Sequence, residues 1–499
     1  VPSAAHNPGF IGAGKSGGIM KIHDVDVAIL GAGTAGLGAY RAASKHTEKI
    51  LLIDGGPLGT TCARVGCMPS KLLIAAAEAA QRSRHSTIFG VTNPQTLVDG
   101  KAVMARVQRE RDRFVGFVLQ SIEGIPEARK IYAYAEFLDN HMLQLSNGER
   151  VRAKTVVIAT GSRPAVLPQL RDLRKRLLDT DQIFELPDLP KSMAIFGPGV
   201  VGLELGQAFH RLDVQVKLFG RSGGIAGLKD PAIKDYALKT FASEFYLDAH
   251  AQVETVEELP DGVKIRFQDR EGKMVEEIFE YVLNATGRKS NLDKLSLEKT
   301  TLKTDEKGVP EFDPFTLQCG DSNIFLAGDV NGDRPLLHEA ADEGRIAGDN
   351  VGRFPDVRSG LRRAPISIVF SDPQIASVGL NLDQVKLRCN QCYAFGEVSF
   401  EDQGRSRVMA ENKGLLRVYG EHGTGLFLGA EMIGPRAEHI AHLLSWAAQQ
   451  HMTVAQMLDM PFYHPVVEEG LRSALRDLNA KLRIGPEVVK DCMETGPGA

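Results

Sequence analysis

Short apolar runs that end in glycine recur along this chain. Val25 to Leu30 is the first, and it leads directly into Gly31-Ala32-Gly33-Thr34-Ala35-Gly36. Ala35 to Ser44 then has helix-forming composition, and Ile50 to Ile53 is a second buried run ending at Asp54. Strand, glycine turn, helix and strand make a βαβ unit, with a carboxylate about 20 residues past the loop. Such a unit lays a diphosphate over the helix N-terminus and offers the carboxylate to an adenosine ribose. Met193 to Phe196 leads into a second loop, Gly197-Pro198-Gly199-Val200-Val201-Gly202-Leu203-Glu204, and the pattern repeats to about Asn291. This duplication predicts two dinucleotides bound face to face.

Between and beyond these units the pattern predicts a helix over Cys62 to Gln81 and another over Lys101 to Ile122. Short alternating strands follow from Ile131 to Leu145, and Val156-Val157-Ile158 runs into Ala159-Thr160-Gly161. Pro164, Pro168, Pro187 and Pro190 punctuate a crossing into the second unit. Residues from about Leu292 to Arg353 are expected to return to the first. The last third opens with Ile366 to Phe370 and Ala376 to Leu380, continues with Leu415 to Tyr419 and closes with helices. The expected fold is α/β, with two Rossmann-like dinucleotide-binding domains and a C-terminal α+β domain. Its segments are 20–165 with 292–363, then 166–291, then 364–484. Residues 1–19 read as a tag or linker with Met20 as the natural start, and 485–499 as a tail.

Composition narrows the picture. A chain of 499 residues holds several domains, and its 51 glycines suit many tight strand-to-helix turns. A net charge of −4 with nearly balanced signs offers no nucleic-acid or membrane partner. Six cysteines in so long a chain exclude a secreted disulfide scaffold. Without an apolar run of spanning length or a signal peptide, the chain reads as cytoplasmic. Gly9 to Ser16 matches the phosphate-loop pattern literally, but no apolar strand precedes it and Gly17-Gly18 would break the following helix. No nucleotide site is expected there.

The candidate chemistry lies in Thr61-Cys62-Ala63-Arg64-Val65-Gly66-Cys67-Met68-Pro69-Ser70-Lys71. Two cysteines beside a dinucleotide loop point to a disulfide that exchanges electrons with a flavin. Helix N-terminal amides and the Lys71 charge would favour a thiolate. On an ideal helix the two sulfurs would lie about 140° apart, so a bridge needs a distorted turn, which Gly66 permits and Pro69 helps set. The alternatives are a structural disulfide or two unpaired core thiols.

With these motifs stand Ala285-Thr286-Gly287-Arg288, Ile324-Phe325-Leu326-Ala327-Gly328-Asp329 and His464-Pro465-Val466-Val467-Glu468-Glu469. In this order they resemble the pyridine nucleotide-disulfide oxidoreductases, most closely the dihydrolipoamide dehydrogenases, from about Asp26 to Leu482. The resemblance implies that Cys62 meets the substrate, that Cys67 contacts the flavin and that Lys71 pairs with Glu204 near the flavin ring. It implies His464 as acid–base catalyst with Glu469 holding its other ring nitrogen. FAD would be held by Gly31, Gly33, Gly36, Asp54, Thr61, Lys71, Ala135, Thr160, Gly161, Gly328, Asp329, Leu336, Leu337 and His338. NAD or NADP would be held by Gly197, Gly199, Val200, Gly202, Glu204, Arg221, Val253 and Gly287. No metal is implied. The last domain would form a homodimer, and a 2-oxo acid dehydrogenase complex stands as an open partner.

The chain also departs from that pattern. Phe462 stands where the family often has a histidine, Val466 and Glu468 where it has Thr and Ser, and Arg64 where it has Asn. A carboxylate selecting NAD is expected at about position 218, where this chain has Leu218, followed by Phe219-Gly220-Arg221-Ser222. Arg221 would suit a 2′-phosphate or point to solvent. Cys389-Asn390-Gln391-Cys392 reads as a surface loop, and Cys319 and Cys492 lack visible partners. A lone Cys492 argues against the C-terminal pair of mercuric reductases and large thioredoxin reductases. The expected activity is oxidation of a small dithiol, dihydrolipoamide, with NAD. Its rivals are an NADPH-dependent reductase of another disulfide, such as glutathione disulfide, and a non-catalytic flavoprotein scaffold.

Overall fold

The computed structural model describes residues 21–389 and 392–483. The N-terminal segment with its phosphate-loop match, Asn390 and Gln391, and the tail with Cys492 lie outside the described residues. Ile22–Leu30 pairs in parallel with Ile50–Asp54 on one side and Arg150–Ile158 on the other. Lys130–Tyr132 extends one edge, Met142–Leu145 and Ala135–Phe137 extend the other, and Ile324–Leu326 returns to pair with Arg150–Ile158. Residues 27–30, 50–53 and 156–158 are buried on both faces, which is why they read as unbroken apolar runs rather than alternating ones.

One helix–helix seam fixes this first domain. Thr34–Ala43, which follows the first glycine loop, lies along Leu337–Arg353 from the returning segment. A methyl group on Gly344 would meet the backbone of Ala35, and one on Gly348 the backbone of Ala39. Both glycines sit one turn apart, as do both alanines, so the two backbones touch along a stripe of small residues.

The second sheet is parallel, in the order Tyr246–Asp248, Gln215–Phe219, Ser192–Phe196, Tyr281–Asn284 and Leu177–Leu178. Val200–Arg211 follows its glycine loop, and a three-stranded antiparallel sheet, Gln252–Leu259, Gly262–Gln268 and Met274–Phe279, packs beside it. A two-stranded ribbon, Ser162–Pro164 with Arg288–Ser290, joins this domain to the first. The last domain is a five-stranded antiparallel sheet, Ile366–Val369, Gln374–Gly379, Phe427–Gly434, Leu415–Glu421 and Tyr393–Ser399, backed by Ala437–Gln449 and Glu469–Lys481. No described helix is long and apolar enough to cross a membrane.

The seam carries a direct test. Gly348→Ala forces a methyl against a neighbouring backbone and should cost about 1–3 kcal/mol, as overpacking does. Thermal denaturation should show a lower Tm than the parent. An unchanged Tm would mean that the two helices separate without penalty.

Candidate functional site

The helix expected over Cys62 to Gln81 is two helices. Thr61–Val65 and Cys67–Arg84 are divided at Gly66, whose φ of −128° and ψ of −115° leave the helical region. The first is capped by Thr60, at a φ of 61°, whose side chain accepts from the Ala63 amide at 3.3 Å. The break removes the angular separation that a continuous helix would impose, and it places Cys67 at a helix N-terminus.

Cys62 and Cys67 are free thiols, Cys62 half-buried and Cys67 exposed. The hydrogen bond from the Cys62 thiol pulls Cys67 down to about 7; desolvation opposes this and the Lys71 charge adds to it. Cys62 is pushed up, first by holding the proton shared with Cys67, then by burial and the charge beside it. The pair is therefore asymmetric: negative charge is favoured on Cys67 and the shared proton on Cys62.

Lys71 Nζ donates to Glu204 Oε2 at 2.7 Å. The Glu204 side chain is 4% exposed, and its other oxygen accepts from the Phe370 amide at 2.9 Å. The Phe370 ring lies 4.7 Å from the same ammonium. Phe370 was invisible in the sequence, because a backbone amide and a ring face carry no signature beyond an apolar letter at a strand end.

Around the first loop the residues fit FAD. Gly31, at a φ of 111°, abuts the backbone of Ala159, and a methyl on Gly36 would strike the Gly31 carbonyl. Gly33 is open, and the helix after it has no side-chain cap, so its first amides are left for a diphosphate. The two oxygens of Asp54 accept from the Ala32 and Gly56 amides at 2.5 and 2.6 Å, which aims the carboxylate along the loop. Thr160 Oγ1 donates to the Asn291 carbonyl at 2.8 Å, and the Gly161 carbonyl accepts from the Asn291 amide. Gly328 turns at a φ of 84°, and Asp329 Oδ2 accepts from Ser162 Oγ at 3.2 Å. Leu336, Leu337 and His338 open the Leu337–Arg353 helix, and His338 Nε2 is buried without a partner. That orphaned nitrogen is the kind of group a bound cofactor satisfies. Thr61 is exposed beside Cys62, and Ala135 begins a strand at the far edge of the sheet. Ser162 and Asn291 escaped the sequence reading because their partners lie more than a hundred residues away.

The second loop repeats the geometry. Gly197, at a φ of 105°, abuts Ala285, Gly202 abuts Gly197, and Gly199 is open before Val200, which is partly exposed. Gly287, at a φ of 117°, faces open space. Here the sequence reading needs a correction. Leu218 is fully buried within its strand and cannot face a ribose. The Gly31 amide bonds to the Ile53 carbonyl and the Gly197 amide to the Phe219 carbonyl, so the counterpart of Asp54 is Gly220. The expected position was two residues out of register; the absence of a carboxylate stands. A methyl at Gly220 would lie 2.7 Å from Pro198 Cγ and 3.0 Å from Ala249 Cα. Arg221 next to it is exposed, while Val253 packs against the core beside Phe219 and Phe267.

His464 Nδ1 lies 3.0 and 3.1 Å from the two oxygens of Glu469, which also accepts from the Val466 amide at 3.3 Å. The histidine hydrogen bond holds the Glu469 carboxyl below its ordinary value. The His464 side chain is 80% exposed, and no residue of its domain lines the cavity beside Cys62. The chain thus brings Cys62, Cys67, Lys71 and Glu204 together and leaves His464 with Glu469 on a separate surface. Cys319 is a core thiol pushed up to about 12 by burial. Cys389 is buried against Tyr419 and Leu428 while Cys392 is exposed, and no described cluster could hold a metal.

Dihydrolipoyl dehydrogenase of Geobacillus stearothermophilus is 30% identical over 458 residues, spanning 89% of this chain and 94% of its own length. Mercuric reductase of Staphylococcus aureus is 29% identical over 457 residues, 90% of this chain and 82% of its own. The HOCl-induced flavoprotein disulfide reductase RclA of Escherichia coli shares the fold, with a TM-score of 0.76 at 21% identity over 90% of this chain and 99% of its own. Residues 25–344 match the family of pyridine nucleotide-disulphide oxidoreductases and 366–475 its dimerisation domain. That family uses FAD and NAD(P), and the chain belongs to it.

Proposed function

We propose that this chain is a homodimeric dithiol oxidase of dihydrolipoamide dehydrogenase type, passing electrons from a small dithiol to NAD(P). The observation that carries the reading is the placement of the dithiol: Cys62 beside a cavity, and Cys67 at the start of the helix whose Lys71 pairs with Glu204. Exposed Leu443, Trp446, Met460 and Tyr463 in the dimerisation domain support a second copy lying against it and bringing its His464 to the dithiol.

In the oxidised resting pair, Cys62 and Cys67 share a bond. His464 of the other subunit takes the proton of the first substrate thiol, and the thiolate attacks Cys62. The Cys62–Cys67 bond breaks, and its electron pair leaves on Cys67, where Lys71 stabilises the charge. The second substrate thiol displaces Cys62, closing the substrate disulfide, and its proton ends on Cys62. FAD, when bound, would supply the acceptor for the two electrons of the dithiol and the hydride donor for the nicotinamide. Glu469 keeps the His464 ring oriented, and Glu204 holds Lys71 in place. A second reading, an NADPH-dependent reductase of another disulfide, is favoured by Gly220, which puts no carboxylate against a 2′-phosphate.

Two-electron reduction should give the long-wavelength band of a thiolate against oxidised flavin. Cys67→Ser should abolish it, and Cys62→Ser should show it without reduction. Because the Cys67 pKa is lowered to about 7, the thiolate is present above that pH and lost below it. The band should therefore grow with a midpoint near pH 7, and Lys71→Met should move the midpoint upward. A band indifferent to both cysteines would sink the assignment.

Cys62→Ser and His464→Gln should each be nearly inactive as homodimers. Co-expressed, they form mixed dimers in which one site carries both lesions and the other neither. Partial recovery of turnover is expected, and its absence would place the site within one chain.

Arg221→Ala should weaken NADPH more than NADH, by about tenfold or more if Arg221 makes a charge-assisted contact to the 2′-phosphate. Equal effects on the two Michaelis constants would make Arg221 a solvated surface residue.

A further inference from the structure

Two thiols in the last domain take no part in the chemistry described above. Cys389 ends the Leu382–Cys389 helix, and Cys392 directly precedes the Tyr393–Ser399 strand. The Cys392 amide donates to the Cys389 carbonyl at 2.6 Å, which closes a four-residue turn. A turn of this kind keeps its end Cα atoms within about 7 Å. A disulfide asks for about 4.4–6.8 Å between the same atoms, so the backbone needs little movement to accept the bond.

Both ends of the turn are fixed. The Cys392 carbonyl accepts from the His422 amide at 3.0 Å, and Tyr393 after it pairs with Glu421 in the sheet. Cys389 packs with Val385, Tyr419 and Leu428, and its Sγ donates to Glu421 Oε1 at 3.9 Å. Both thiols are thus held at the end of the Leu415–Glu421 strand, and they differ in access. Cys389 is 8% exposed, while Cys392 is open to solvent. Burial, then the Glu421 carboxylate, push the Cys389 thiol up, and a charge on Cys392 adds to this. Such a pair divides the labour of thiol–disulfide exchange: the accessible thiol attacks, and the shielded one resolves the mixed disulfide held beside it. A structural metal site needs about four ligands, and no described cluster supplies even three.

We propose that Cys389 and Cys392 form a second redox dithiol, separate from Cys62 and Cys67, which low-molecular-weight disulfides oxidise through attack by Cys392. The Cys392 thiolate attacks one sulfur of the small disulfide, whose S–S bond breaks and releases one thiolate. Cys389 then attacks the mixed disulfide on Cys392, and a second small thiolate leaves. The protons of the two protein thiols end on the two small thiols. The protein pair loses two electrons, and the small disulfide gains them.

The test uses holoenzyme carrying Cys62→Ser and Cys67→Ser, so that the first dithiol neither consumes the probe nor relays its oxidation. Retained flavin absorbance reports folding. The probe is hydroxyethyl disulfide, followed by alkylation, trypsin and mass spectrometry. Arg388 and Arg405 bound one tryptic peptide that contains both thiols, residues 389–405. That peptide should be recovered unalkylated and lighter by two hydrogens, and dithiothreitol should restore both alkylation sites. With Cys389→Ser added, the reaction should stop at a mixed disulfide on Cys392. With Cys392→Ser added instead, Cys389 should be labelled at least about tenfold more slowly than Cys392 in the reciprocal variant. Two free thiols, a mixed disulfide that persists with both cysteines present, or a link from Cys392 to Cys492 would overturn the proposal. Equal labelling of Cys389 and Cys392 in the two reciprocal variants would overturn it too, because no attacking and resolving thiol could then be told apart.

Discussion

A single carboxylate ties the three domains together. Glu204 belongs to the helix after the second glycine loop, Lys71 to the helix that begins with Cys67, and the Phe370 amide to the edge of the last domain. A buried carboxylate is costly unless both oxygens are engaged, and here one meets an ammonium and the other an amide. Moving any domain away would strand a charge. The Cys67–Arg84 helix also packs its apolar side, Leu73, Ile74 and Ala77, into the same core as Leu203 and Leu205 of the Val200–Arg211 helix. Electrostatics sets the register of that contact, and apolar burial supplies its strength.

The same ammonium shapes the thiols. Its charge favours a thiolate at Cys67, while Glu204 opposes it only partly, because the carboxylate is drawn toward Lys71 and Phe370. The larger effect is local: whichever sulfur holds the shared proton depresses the other. The Gly66 break starts a fresh helix at Cys67 and leaves Cys62 in a single capped turn.

What was legible in the chain follows steric necessity. Gly31, Gly36, Gly197 and Gly202 announce themselves because a β-carbon at each would meet a backbone, and that leaves one letter available. The dithiol and the His464–Glu469 spacing are equally local. The break at Gly66 was half legible: distortion was expected, but a helical composition on both sides concealed a complete interruption. The register of Gly220 was missed because the strand Gln215–Phe219 closes on two apolar residues, Leu218 and Phe219, and gives no mark of where it ends until its hydrogen bonds are seen. Phe370, Ser162 and Asn291 act through distant partners, which no local pattern encodes.

The seam between Thr34–Ala43 and Leu337–Arg353 separates what can vary from what cannot. At their N-terminal ends these helices frame the flavin loops, and further along their exposed stripes carry cations that line the cavity beside Cys62. The contact between them leaves no room for a methyl group at Gly344 or Gly348. Arg41, Lys45 and Arg345 point away from that contact and are exposed. The outside of this joint is thus free to vary, while its inside admits nothing larger than glycine at those two positions.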